Sequence, residues 1–130
     1  MEGRDKRYRL AVVLIASLCL LASWFPYAAG WSVSSKNLQF EGILPINEDD
    51  VRGYLATMQL GARGEWKFHI LYTPEEHEGG YIYLFYLALG KVAKVLNLAM
   101  PIAYHMARLL AAACLLAAMY HFVCTFVAHP

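Results

Sequence analysis

Leu10–Gly30, LAVVLIASLCLLASWFPYAAG, is twenty-one residues long and carries no charge. As a helix rising about 1.5 Å per residue it covers roughly 30 Å, the thickness of a bilayer's hydrocarbon core. Pro26 falls in its last third, where a membrane helix tolerates a kink. Trp24, Tyr27 and Trp31 gather at the same end, and their amphipathic rings suit the boundary between lipid and water. Residues 1–9 hold Arg4, Lys6, Arg7 and Arg9 against Glu2 and Asp5. That excess keeps the amino terminus in the cytoplasm and puts Trp31 outside. The competing reading is a signal peptide cleaved at Ala28-Ala29-Gly30. Against it, the apolar run exceeds a usual signal core, and a second apolar segment follows.

That second segment spans 101–128. Its stretch from Leu109 to Val127 is broken by His121 and Thr125 and is long enough to return across the membrane. The whole chain fits this picture. Of 130 residues, 59% are hydrophobic and 16% charged, against roughly 45–50% and 25% in soluble domains. The net charge is +1, and no basic run interleaves with aromatic residues, so a nucleic-acid partner is excluded. Cys19, Cys114 and Cys124 all lie in apolar segments. An odd number in such places is neither a disulfide framework nor a metal box, and they read as small apolar fillers.

The expectation is an all-α integral membrane protein of the plasma membrane. A cytoplasmic terminus (1–9) leads into a first crossing (10–30), and an external loop with amphipathic helices fills 31–80. Residues 81–98 are ambiguous. Tyr81, Tyr83 and Tyr86 suit an interface better than a bilayer centre, and Lys91 and Lys94 share a face from which both can snorkel. The segment is read as a juxtamembrane helix at the outer leaflet. The alternative is a third crossing, with a tight hairpin at Ala99-Met100-Pro101. Pro101 suits the first turn of the final helix.

Chemistry concentrates in Asn47-Glu48-Asp49-Asp50-Val51-Arg52-Gly53-Tyr54. Asn47 reads as an N-cap, with Glu48, Asp49 and Asp50 in the first turn, where acids interact favourably with the helix dipole. Val51, Tyr54, Leu55, Met58 and Leu60 follow at helical spacing, and the helix should stop near Gly61 or Gly64. Capping alone accounts for the acids, while a catalytic role needs more than their presence. Residues 65–72 read as an extended segment turning at Thr73-Pro74. His69, His77 and the glutamates of Glu75-Glu76-His77-Glu78 match no zinc spacing and read as a charged loop tip. Further on, Tyr104, His105 and Arg108 fall on one helical face. An arginine near a membrane helix end either snorkels or pairs with an anion inside the protein.

In order and spacing, Asp49-Asp50-Val51-Arg52-Gly53-Tyr54, then Thr73-Pro74 through Gly79-Gly80-Tyr81-Ile82-Tyr83, then Ala107-Arg108-Leu109-Leu110 resemble the amino-terminal part of GT-C-type membrane glycosyltransferases. These include the protein mannosyltransferases and aminoarabinose transferases, which use polyprenyl-phosphate-linked sugars. The resemblance covers almost the whole chain. It departs in having Asp for the family's second acid and glycines for its proline pair, and in having two or three crossings where the family has roughly ten or more. It implies Asp50 as the general base and Asp49 as its neighbour, holding the acceptor or a divalent cation (Mg or Mn). It implies Tyr54, Glu48 and Arg108 in substrate binding, with Arg108 toward phosphate or in a structural ion pair with the acidic loop. The implied partners are a polyprenyl-phosphate sugar donor, the lipid bilayer, and further helices from a longer chain or another membrane subunit. On this reading the segment is an amino-terminal fragment that is inactive alone. Two alternatives stand beside it: a small accessory membrane protein that docks through its acidic loop and aromatic helix, and a truncated reading frame without activity. A soluble enzyme is disfavoured, because no phosphate-binding glycine loop, nucleophile elbow or metal box is present.

Overall fold

The computed structural model describes residues 2–35, 39–44, 48–70 and 73–126, with side chains for all of these except 2–6 and 9. Four helices carry it: α1 (Glu2–Val33), α2 (Glu48–Arg63), α3 (Leu84–Val95) and α4 (Met100–Phe126). Among the described residues there is no β-strand beyond isolated bridges, one of which pairs Phe68 with Gly80 in antiparallel fashion. The all-helical expectation holds. The chain divides into two bodies, one built from Met1–Gln39 with Arg108–Pro130, the other from Phe40–Ala107.

In the first body, Leu10–Val33 of α1 and all of α4 are long and apolar enough to cross a membrane. None of either apolar window is buried within the chain, unlike the core helix of a soluble protein. Leu18, Leu21 and Phe25 on α1 and Leu110, Leu115 and Phe122 on α4 are all exposed. The helix α1 is longer than the expected 10–30, extending to Glu2 on one side and Val33 on the other. Pro26 sits inside it and withholds the N–H that would reach the Ala22 carbonyl. Trp24 lies 6.3 Å from Tyr27 and 5.4 Å from Trp31, ring centre to ring centre, so the expected aromatic group at this end forms.

In the second body, α2 and α3 pack with their backbones in contact. Gly61 faces the backbone of Leu87, and Gly90 faces the backbone of Met58. A Cβ at either glycine would fall on the opposing carbonyl, so the crossing depends on both. Met58, Ala93 and Ala103 form the buried centre, with Leu55, Tyr86, Leu89, Leu98, Met100 and Tyr104 packed around it. The inward positions of α2 include the apolar residues picked out by helical spacing, with Met58 fully buried and Leu60 nearly so.

Both helices of this body end in Schellman motifs. At α2, Gly64 (φ 110°) occupies the left-handed site, Gly64 N–H bonds the Gly61 carbonyl at 2.9 Å, and Glu65 N–H bonds that of Leu60 at 3.2 Å. This confirms the expected stop near Gly64. At α3, Asn97 (φ 52°) takes that role, with Asn97 N–H on Lys94 at 3.1 Å and Leu98 N–H on Ala93 at 2.9 Å. Tyr83 (φ 55°) sits at the other end of α3, in a conformation that costs a non-glycine residue about 1–2 kcal/mol. As a result α3 has 12 residues, about 18 Å of helix against the roughly 30 Å a crossing needs. The expected helix over 81–98 is therefore shorter. Among the described residues two helices, not three, have the length to span, because left-handed residues at 83 and 97 close off the apolar run. Pro101 lies in the first turn of α4, as expected.

Candidate functional site

Glu48, Asp49 and Asp50 occupy the first turn of α2 and are exposed. Asn47, the expected cap, lies outside the described residues. Arg52, one turn on, separates the three acids by role. Its Nε donates to Glu48 Oε1 at 2.8 Å, and its other guanidinium nitrogen reaches Glu41 Oε2 at 3.4 Å. Glu48 is thus committed to a cation, and Asp49 and Asp50 remain on the wall of a groove.

This groove measures about 660 Å³ and is lined by Asp49, Asp50, Arg52, Gly53 and Tyr54, among others, from α2 and by Phe68, Ile70, Ile82 and Tyr83 from the segments that follow. Its size lies within the range of roughly 300–1,000 Å³ typical of small-molecule sites. A side chain at Gly53 would meet nothing within 4 Å, so the groove is open there. The Thr57 hydroxyl turns back to the Gly53 carbonyl at 2.9 Å, satisfying a buried polar group within the helix.

The aromatic wall is held from behind. Tyr54 stacks on Tyr86 with ring centres 4.3 Å apart and planes 8° apart. Tyr83 meets Phe68 edge-on at 5.1 Å and Tyr54 at 6.3 Å. These contacts fix the strained Tyr83. Burial pushes the Tyr86 phenol above its ordinary range, and the neighbouring Tyr54 and Tyr104 push it further.

Phe68 and Ile70 contribute to the far wall, next to a short backbone bridge. Phe68 N–H bonds Gly80 O at 2.8 Å, and Gly80 N–H bonds Phe68 O at 3.0 Å. His77 Nε2 accepts the Ile70 N–H at 2.9 Å, which leaves Nδ1 to donate to Glu75 O at 3.0 Å. Both nitrogens of His77 thus serve the loop backbone. His69 stands 5.9 Å away, ring to ring. Among the described residues no group of three or more His, Cys, Asp or Glu side chains converges as a metal site.

Glu48, Asp49, Asp50 and Tyr54 therefore lie in one body. Arg108 belongs to the other, where it donates to the Tyr27 hydroxyl at 2.7 Å and the Ser23 carbonyl at 3.3 Å, with its guanidinium 4.4 Å from the Tyr27 ring centre. These contacts tie α4 to α1 and use two of its five donors. His105, on the same expected face, is buried and donates from Nε2 to the Gly42 carbonyl at 2.7 Å.

The reading of the sequence passed over Arg52, Phe68, Ile70, Ile82 and Tyr83 as site residues. The i, i+4 pairing of Glu48 with Arg52 was open to view. The Phe68–Gly80 bridge had no local signal. No known protein family, curated protein or solved structure matches this chain.

Proposed function

We propose that this chain is the front part of a polytopic membrane glycosyltransferase, moving a sugar from a polyprenyl-phosphate donor to an acceptor hydroxyl at the outer face of the plasma membrane. The observation that carries the reading is the groove in which Asp49 and Asp50 stand among aromatic side chains. Carboxylates accept hydrogen bonds from sugar hydroxyls, and aromatic faces cover the apolar face of a sugar ring. The order of motifs described above supports the same reading.

Asp50 takes the proton of the acceptor hydroxyl, which attacks the anomeric carbon as the bond to polyprenyl phosphate breaks. Asp49 orients the acceptor, and Tyr54 and Tyr83 hold the ring. A divalent cation, Mg or Mn, fits Asp49 and Asp50 only in company, because such ions take about six oxygens and are commonly held by one or two carboxylates plus phosphate and water. Glu48 acts through Arg52, fixing the first turn of α2. Arg108 keeps donors for phosphate beyond those it gives to Tyr27 and Ser23. The donor site needs further helices, so the segment alone is inactive.

The test is Asp50→Asn and Asp49→Asn in a full-length enzyme in membranes, read by sugar transfer. Loss of a general base lowers the rate about 10²–10⁴-fold, so Asp50→Asn should show a loss of that size with helix content retained. Undiminished transfer in Asp50→Asn removes the catalytic assignment. The second reading, an accessory membrane protein, rests on the exposed apolar face of α3. Capture of a membrane subunit by the unaltered chain, with no transfer activity in the complex that depends on Asp50, favours it.

A further inference from the structure

We infer that the free face of α3 is a docking surface for a bilayer rich in anionic headgroups. This is independent of the chemistry assigned to the groove. At 3.6 residues per turn, Leu84, Phe85, Ala88, Val92 and Val95 fall within one arc of about 100°. Phe85 is 60% and Val95 83% exposed, and Leu84, Val92 and the following Leu96 are exposed as well. The opposite arc, with Leu87, Gly90 and Ala93, is buried. The exposed arc holds no polar residue.

Its borders indicate the occupant. Lys91 lies at one edge of the arc, about 20° outside Leu84, and Lys94 lies about 60° further round. The Lys91 ammonium stands 4.4 Å over the Trp66 ring and that of Lys67 5.7 Å over Tyr81, with both rings exposed. Aromatic rings with lysines beside an apolar strip are the chemistry of the lipid–water boundary. No carboxylate occurs in the sequence from Gly79 to Phe126, so α3 itself supplies no acid to pair with Lys91 or Lys94. An anionic lipid surface attracts such basic residues through its phosphates. The face is also continuous with a membrane element, since residues 96–99 lead directly into α4, which has the length and composition of a span. A soluble protein partner accounts for the apolar strip but not for this basic, aromatic border.

The experiment uses the full chain in nanodiscs, with Cys19, Cys114 and Cys124 replaced by alanine and a nitroxide attached in turn at Phe85→Cys, Val92→Cys and Val95→Cys. Collision rates with oxygen and with a nickel chelate are measured in discs of phosphatidylcholine with and without phosphatidylglycerol. At all three positions oxygen collisions should exceed chelate collisions several-fold, and phosphatidylglycerol should widen the gap. Combined Lys67→Gln, Lys91→Gln and Lys94→Gln changes should abolish that widening. Free access of the chelate overturns the inference, as does shielding from both agents, which means protein covers the face. Equal chelate exclusion in the two kinds of disc overturns it too.

Discussion

Tyr86 lies at the centre of a column of rings, 4.3 Å from Tyr54 on one side and 6.5 Å from Tyr104 on the other. Burial raises its phenol above the ordinary value of 10.0, and the two neighbouring tyrosines add to the effect. The unfolded chain ionises this residue near about pH 10 while the folded chain keeps it neutral, so its contribution to stability is whole below about pH 10 and is lost as pH rises through the folded value. Melts followed by circular dichroism in detergent should show the midpoint falling as pH climbs past about 10, and Tyr86→Phe should flatten that fall. Asn97 is a second single-residue control. Its φ of 52° lies in the left-handed region that glycine enters freely. Asn97→Gly should be neutral or stabilising by a few tenths of a kcal/mol, and Asn97→Ala should cost about 1 kcal/mol, both read from denaturant midpoints. The aptness of asparagine for this place is visible in the sequence, since it follows Lys94 and precedes a proline-led helix. The stacking of Tyr54 on Tyr86 is not, because they lie 32 positions apart.

The pairing of α2 with α3 depends on two glycines whose role shows only when the helices are brought together. Gly61 stands against Leu87 and Gly90 against Met58, backbone to backbone. In sequence each lies within an apolar helical stretch, where glycine lowers helix propensity by about 1 kcal/mol relative to alanine. Propensity alone therefore predicts that alanine improves both helices. Packing reverses the sign. Gly61→Ala and Gly90→Ala should each destabilise the second body by about 2–3 kcal/mol or more, since the new methyl group meets backbone that cannot turn aside. Amide exchange across α2 and α3 is the direct measure, and faster exchange confined to these two helices is the expected result. The ends of the elements were more legible. Gly64 closes α2 where the run of apolar spacing stops. The aromatic run from Tyr81 to Leu89 suggested a longer α3, because nothing local reveals that Tyr83 is held left-handed by Phe68 and Tyr54.

At the scale of the molecule, two span-length helices flank a polar segment. With the basic terminus inside, residues near 50 and 98 should share the outer face. Single cysteines placed there in a cysteine-free chain should react with an impermeant maleimide in intact cells, and one placed near position 7 should react only after permeabilisation. A reactive amino terminus together with an unreactive position 50 would overturn the proposed orientation and, with it, the outer-face glycosyl transfer.

The membrane-length helices, the amphipathic α2 and the acids in its first turn were determined by the sequence itself, because each depends on composition or on spacing within one turn or one span. The tertiary structure alone decided which acids face the groove. Glu48 pairs with Arg52, which also reaches Glu41, whereas Asp49 and Asp50 line the groove together with Phe68, Ile70 and Ile82. It also decided that α3 is too short to cross, and that Arg108 spends its first hydrogen bonds on Tyr27. Apart from the Glu48–Arg52 pair, which lies one helical turn apart, the partners are far apart along the chain, or a backbone conformation is imposed by such partners, and no local pattern of residues encodes either.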